Sequence, residues 1–109
     1  MTERVMGNIF VRTCDVLQKK GGRIDGDVHN FDHVTLILRG AVHAVKKKRD
    51  GTVMVDRRIE APACLLIEAD MLHSFESLED GTTAWCVYAH RTPQGEVTQE
   101  YNGWLDAYG

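Results

Sequence analysis

The sequence has no surplus of positive charge and no long apolar run, and each absence removes a class of function. Across 109 residues, 13 lysines and arginines face 16 aspartates and glutamates, for a net charge of −3. The isoelectric point is about 5.9. Nothing here forms the basic surface that a nucleic-acid partner requires. No stretch approaches the roughly 20 apolar residues of a membrane-spanning helix. The opening MTERVMGNIF also lacks the apolar core of a signal peptide. A soluble, cytoplasmic protein with no membrane partner is therefore expected. The three cysteines, Cys14, Cys64 and Cys86, are odd in number and too widely spaced for a CxxC pair. Cys64 and Cys86 sit in apolar runs, so buried free thiols in a reducing compartment are expected. Internal repeats, low-complexity linkers and the serine-nucleophile, P-loop and dinucleotide signatures are all missing. The length suits one domain, residues 1–109, large enough to bury a core without disulfide staples.

A long helical period is missing too. Strand-like runs recur instead, about every 8–12 residues, with turn signals between them, the rhythm of an antiparallel sandwich or barrel. Residues 5–12 read as a first strand, and 23–29 as a short or bent one containing Asp25-Gly26. Residues 34–39 are a β-branched, aliphatic strand, and Gly40 permits a bend. Residues 41–47 and 53–60 flank Asp50-Gly51, a strong hairpin signal. The basic run 46–49 beside that turn reads as a solvated hairpin tip. Residues 64–68 and 72–78 flank Ala69-Asp70, and 83–90 is the most strand-like run of all. Residues 93–95 read as a turn and 96–101 as a last strand; the tail 104–108 fits a helical turn or a strand end equally well. The expected fold is all-β, an antiparallel β-barrel.

What is present is histidine, five in all. His29 and His33 stand four apart between carboxylates. On a helix that spacing shares a face, but Val34, Thr35 and Ile37 favour strand while Asn30 and Asp32 favour turns. On one straight strand four residues span roughly 13 Å, too far for two imidazoles bound to one ion at about 2.1 Å. If both ligate, the chain must turn at Asn30-Phe31-Asp32. His73 opens a further strand shortly after Asp70. Three histidines at turn-adjacent strand ends suit a transition metal. The remaining candidates read as packing or surface. His43 lies beside the lysines and His90 ends a strand. Glu68 faces either the site or solvent. Cys86 and Tyr88 alternate with Trp85 and Val87, so one of these pairs lines the interior.

With those residues placed, the chain resembles a small single-domain cupin over residues 21–90. The first cupin motif runs Gly, five residues, His-x-His, three or four residues, Glu, six residues, Gly. Here Gly21, Asp27, His29, His33 and Gly40 reproduce every spacing. Asp27 stands at the first histidine and His33 at the glutamate. Of the second motif, at Pro62, Glu68, Asp70, His73 and Ser77, only the histidine is retained. The resemblance implies a double-stranded β-helix of jelly-roll type, a homodimer, and a metal in the barrel mouth. It implies His29, His33 and His73 as metal ligands, with Asp27 as the fourth, acting directly, through a water, or by hydrogen-bonding a ligand. Fe(II) is the first choice of metal, with Zn, Ni, Mn or Cu as alternatives. By analogy the function is dioxygenase-like, a metal-dependent oxidoreductase acting on a small organic molecule, with catalytic residues unassigned. The alternatives are a non-catalytic cupin that binds a metal or small ligand, and a metal-independent sugar isomerase or epimerase using a histidine base. Far-ultraviolet circular dichroism is expected to show sheet with little helix, and a helix-dominated spectrum would contradict the strand reading.

Overall fold

The computed structural model describes residues 2–26, 32–89, 94 and 96. Within them the chain forms nine strands and one short 3-10 turn, Asp15–Gln18. The strands are β1 (Glu3–Met6), β2 (Ile9–Thr13), β3 (Arg23–Gly26), β4 (His33–Arg39), β5 (Ala41–Lys47), β6 (Val53–Glu60), β7 (Ala63–Ile67), β8 (Leu72–Ser77) and β9 (Thr83–Ala89). They pair into a five-stranded sheet, β1-β2-β9-β4-β7, and a four-stranded sheet, β3-β8-β5-β6. Every pairing is antiparallel. This is a jelly-roll arrangement. The expected single first strand over 5–12 is two strands, because Gly7, at φ 60°, turns the chain back on itself. The expected strand over 96–101 and the tail lie outside the described residues, Glu96 apart.

Alternation fills the space between the sheets. Ile37 on β4, Val42 and Ala44 on β5, Ile67 on β7, Phe75 on β8 and Ala84 on β9 all point inward and are almost fully buried. Leu17, from the 3-10 turn, is completely buried and caps one end of this core. Each large side chain here contributes about 1.5–3 kcal/mol by leaving water. A strand slipped by one residue would expose its whole apolar set.

The alternation also corrects two expectations. Cys64 is exposed, because on the edge strand β7 it faces outward with Leu66 while Ala63, Leu65 and Ile67 turn in. The run CLLI reads as continuously apolar, yet only alternate members are inside. Lys46 is no part of a solvated tip. It follows Val42 and Ala44 on the inward face of β5 and is 8% exposed. Its ammonium donates to Glu68 at 2.8 Å and to the Leu66 carbonyl at 3.2 Å. A buried charge needs such partners, and this one spans from the four-stranded sheet to the five-stranded one.

Gly40 makes the corner where the chain leaves β4 in one sheet for β5 in the other. Its φ is 82°, left-handed backbone that glycine adopts without strain. The neighbouring Thr82 is fully buried, and its hydroxyl donates to Glu79 O at 2.9 Å and accepts from Ala41 N–H at 3.4 Å. A Cβ on Gly40 would collide with Thr82 Oγ1 and sit 2.8 Å from Thr82 Cα. Gly40→Ala is therefore expected to cost about 2–4 kcal/mol, from left-handed strain plus overpacking. Urea denaturation reads this, and a loss below about 0.5 kcal/mol would contradict the corner's role.

Candidate metal centre

Two of the expected ligands, His33 and His73, meet inside one end of the barrel. His33 is the first residue of β4 and pairs with Ile67 at the end of β7. His73 lies near the start of β8 and pairs with Gly26, the last residue of β3. Both are inward positions, 5% and 9% exposed. Their ring centroids are 5.1 Å apart at an interplanar angle of 61°. Two imidazoles that share an ion at about 2.1 Å would place their centroids roughly 4.5–5.5 Å apart. The observed pair meets that requirement.

The chain on either side explains the meeting. Asp32 accepts a hydrogen bond from the Ala69 N–H at 2.7 Å. This ties the residue before His33 to the β7–β8 turn that precedes His73. Asp70, in the same turn, has φ 65°, a conformation aspartate tolerates better than most residues. His73 Nδ1 lies 3.4 Å from the Met71 carbonyl. In the tautomer that donates this bond, Nε2 keeps its lone pair, and a ring held by a backbone carbonyl in this way is the usual posture of a ligating histidine.

Of the other two expected ligands, Asp27 and His29 lie outside the described residues, as does His90. The described chain ends at Gly26 opposite His73 and resumes at Asp32 beside His33. Among the described residues, no group of three or more His, Cys, Asp or Glu side chains is arranged to hold a metal ion. His43 is a surface residue as expected, its ring paired with Asp56 at 2.6 Å on the outer face.

Around the histidine pair stand residues that spacing alone undervalued. Cys86 and Tyr88 are the inward pair on β9. Tyr88 packs against His33 with centroids 6.3 Å apart and stacks on Phe10 at 4.6 Å. Burial raises the Tyr88 phenol above its ordinary value, so the hydroxyl keeps its proton at neutral pH. The Cys86 sulfur lies 3.7 Å from that of Cys14 and 3.6 Å from the Thr35 hydroxyl, and it also hydrogen-bonds His33. The bond with Cys14, then those with His33 and Thr35, pull the Cys86 thiol below its usual range against the opposing effect of burial. Cys14, the other member of the pair, is raised by that bond and by its own burial. Lys46 is the cross-strand neighbour of His73. Its signal was present in the sequence as the alternation Val42, Ala44, Lys46, but the adjoining lysines masked it. Glu68 takes neither extreme: its carboxylate is partly exposed and anchors Lys46. A cleft of about 310 Å³ is lined by Arg23, Asp25, Val45, Lys47, Leu72 and Ser74 beside His73. These residues alternate with the inward ones, so the cleft lies on the outer face of the four-stranded sheet.

No protein-family model and no curated relative matches the sequence. Solved structures do match in shape. KdgF from a Halomonas species aligns with a TM-score of 0.63 at 11% identity, over 85% of this chain and 79% of its own. BH2720 from Bacillus halodurans aligns at 0.65 and 14%, over 95% and 80%. Bacillus subtilis oxalate decarboxylase, described with Mn(II) centres, aligns at 0.61 and 13%, over 90% and 30%. These are cupin-fold proteins. The described chain accordingly has the cupin fold, the architecture expected from its first motif.

Asp32→Ala should cost about 1 kcal/mol by removing the acceptor of the Ala69 N–H. Asp32→Asn, which keeps a side-chain oxygen, should retain most of that stability. Equal urea midpoints for the alanine variant and the wild type would show that the tie does not hold the two histidine-bearing ends together.

Proposed function

We propose that this chain is a metal-binding cupin that holds one divalent transition metal through His29, His33 and His73, with Asp27 at or next to the ion. The observation that carries this reading is the buried His33–His73 pair, spaced for a common ion. The described chain ends at Gly26 opposite His73 and resumes at Asp32 beside His33, and only five residues, among them Asp27 and His29, separate the two ends. Imidazole-rich sets suit Fe(II), the first choice, and also Zn, Ni, Mn and Cu. The Mn(II) centres named for oxalate decarboxylase show that this fold accommodates a redox-active metal in another protein.

The proposed activity is dioxygenase-like chemistry on a small organic molecule in the cytoplasm. The metal would supply a Lewis-acidic position for oxygen and substrate. The protein's own residues do the rest. Tyr88 offers a protonated hydroxyl, and Phe10 with Tyr88 forms an apolar wall.

The chain is also proposed to be a single domain that pairs as a homodimer. The outer face of the five-stranded sheet is apolar from strand to strand. Val11 pairs with Val87, Val87 with Val34, and Val34 with Leu66, while Ile9, Leu38, Leu66 and Trp85 are each more than a third exposed. A continuous patch of this kind marks an interaction surface. Edge strand β1, with Val5 and Met6 exposed, needs covering as well. A monomer mass by light scattering at tens of micromolar would count against the pairing.

Metal content measured by elemental analysis tests the centre. Wild-type protein should carry about one ion per chain, and occupancy should fall on acidification, because protons compete with the metal for the imidazole nitrogens. His29→Ala, His33→Ala and His73→Ala should each lower occupancy at least about tenfold. His33→Glu restores an anionic ligand and should keep the ion. Equal metal content in the wild type and the three alanine variants would remove the site and the enzymatic reading with it.

A further inference from the structure

The Cys14–Cys86 pair is built as a dithiol that the proposed metal chemistry does not use. We propose that it is an oxidation site, converted by peroxide to an intramolecular disulfide beneath the histidine pair. The two sulfurs are already 3.7 Å apart. Cys14 follows β2 and donates its N–H to Ala84 O at 2.9 Å, while Arg12 pairs with Cys86. The cysteines are therefore diagonal neighbours on adjacent strands with both side chains turned inward. A disulfide needs its sulfurs about 2.05 Å apart, so the pair must close further from the observed 3.7 Å. Cys64 plays no part, since it faces outward on β7.

A cavity of about 90 Å³ is lined by Cys14 with Thr13, Asp15, Gln18, Ala84 and Trp85. One water occupies roughly 30 Å³ in the liquid, so a small oxidant such as hydrogen peroxide is of a size to enter it. The chemistry balances in two steps. One thiol attacks peroxide, its sulfur takes one oxygen to become a sulfenic acid, and the other oxygen leaves as water. The second thiol then displaces that hydroxyl as a second water and the S–S bond forms. Two thiols and one peroxide give one disulfide and two waters, the sulfurs losing the two electrons that peroxide gains.

The bond also changes the site above it. A sulfur committed to Cys14 no longer carries a thiol hydrogen, so Cys86 can only accept from the Thr35 hydroxyl and its contact with His33 is altered. Oxidation and the histidine pair are thus linked through one sulfur.

The test uses the full chain carrying Cys64→Ser, which removes the exposed thiol. The protein is treated with hydrogen peroxide, quenched with catalase, unfolded with an alkylating reagent present, and weighed intact. Before treatment both remaining thiols should be alkylated. Afterwards neither should be, with a mass about 2 Da below that of the reduced chain before alkylation, and dithiothreitol should restore both thiols. A peptide map of treated wild type should join Cys14 to Cys86. Formation should be at least about tenfold slower in urea-unfolded chain, where nothing holds the sulfurs together. Cys14→Ser in the same background should instead give an adduct about 16 Da heavier at Cys86. Thiols that stay alkylatable in the folded protein, a linkage to Cys64 in the wild type, or equal rates in folded and unfolded chain would each overturn the proposal. These readouts are independent of bound metal, so loss of the metal reading would leave the result intact.

Discussion

Strand β4 is paired on both edges, to β9 on one side and β7 on the other, and this double pairing leaves its side-chain register no freedom. With register set, His33, Thr35 and Ile37 must face inward and Val34, Leu36 and Leu38 outward. Slipping by one residue would bury the aliphatic outer set and expose the histidine. Much else follows from that one strand. Thr35 reaches the Cys86 sulfur, His33 reaches His73, and Gly40 at its far end turns the chain into the second sheet.

The barrel interior divides along its length. Leu17, Ile37, Val42, Ala44, Phe75 and Ala84 form an apolar end. Toward the other end His33, His73, Lys46, Cys86 and Tyr88 replace them. Apolar packing carries the fold, and the polar end is tolerated because its groups have partners. Lys46 illustrates the balance. Its charge is expensive to bury alone, and the Glu68 carboxylate and Leu66 carbonyl offset that cost while joining the two sheets. Small polar residues seal the same barrel: Thr82 and Ser77 are buried with their hydroxyls donated to the Glu79 carbonyl.

Two kinds of chemistry converge on the polar end. The histidines offer nitrogen ligands, one ring steadied by a backbone carbonyl, and the thiol pair lies directly beneath them. Because Cys86 contacts His33 and Cys14 alike, the environment of His33 and the redox state of the thiols are not independent. A small barrel has room for few interior side chains, so neighbouring functions share atoms.

Strand number and order were largely legible in the sequence because alternation, Asp50-Gly51 and the glycine turns are local signals. So was the bend at Gly40, and of the three histidines that motif spacing singles out the structure brings His33 and His73 together. Local patterns mislead where neighbours in sequence have opposite surroundings. Lys46 stands beside Lys47, Lys48 and Arg49, yet its side chain turns into the barrel while theirs do not. Cys64 stands in one apolar run with Leu65 and Ile67, yet an edge strand gives it to solvent. The sequence by itself determined the alternation and the turns, because those depend on residues a few positions apart. Only the tertiary structure decided that Cys14 meets Cys86, that Lys46 finds Glu68, and that Asp32 ties β4 to the turn before His73. Those contacts join residues 72, 22 and 37 positions apart, and which distant strands become neighbours is set by the closing of the two sheets on a shared core.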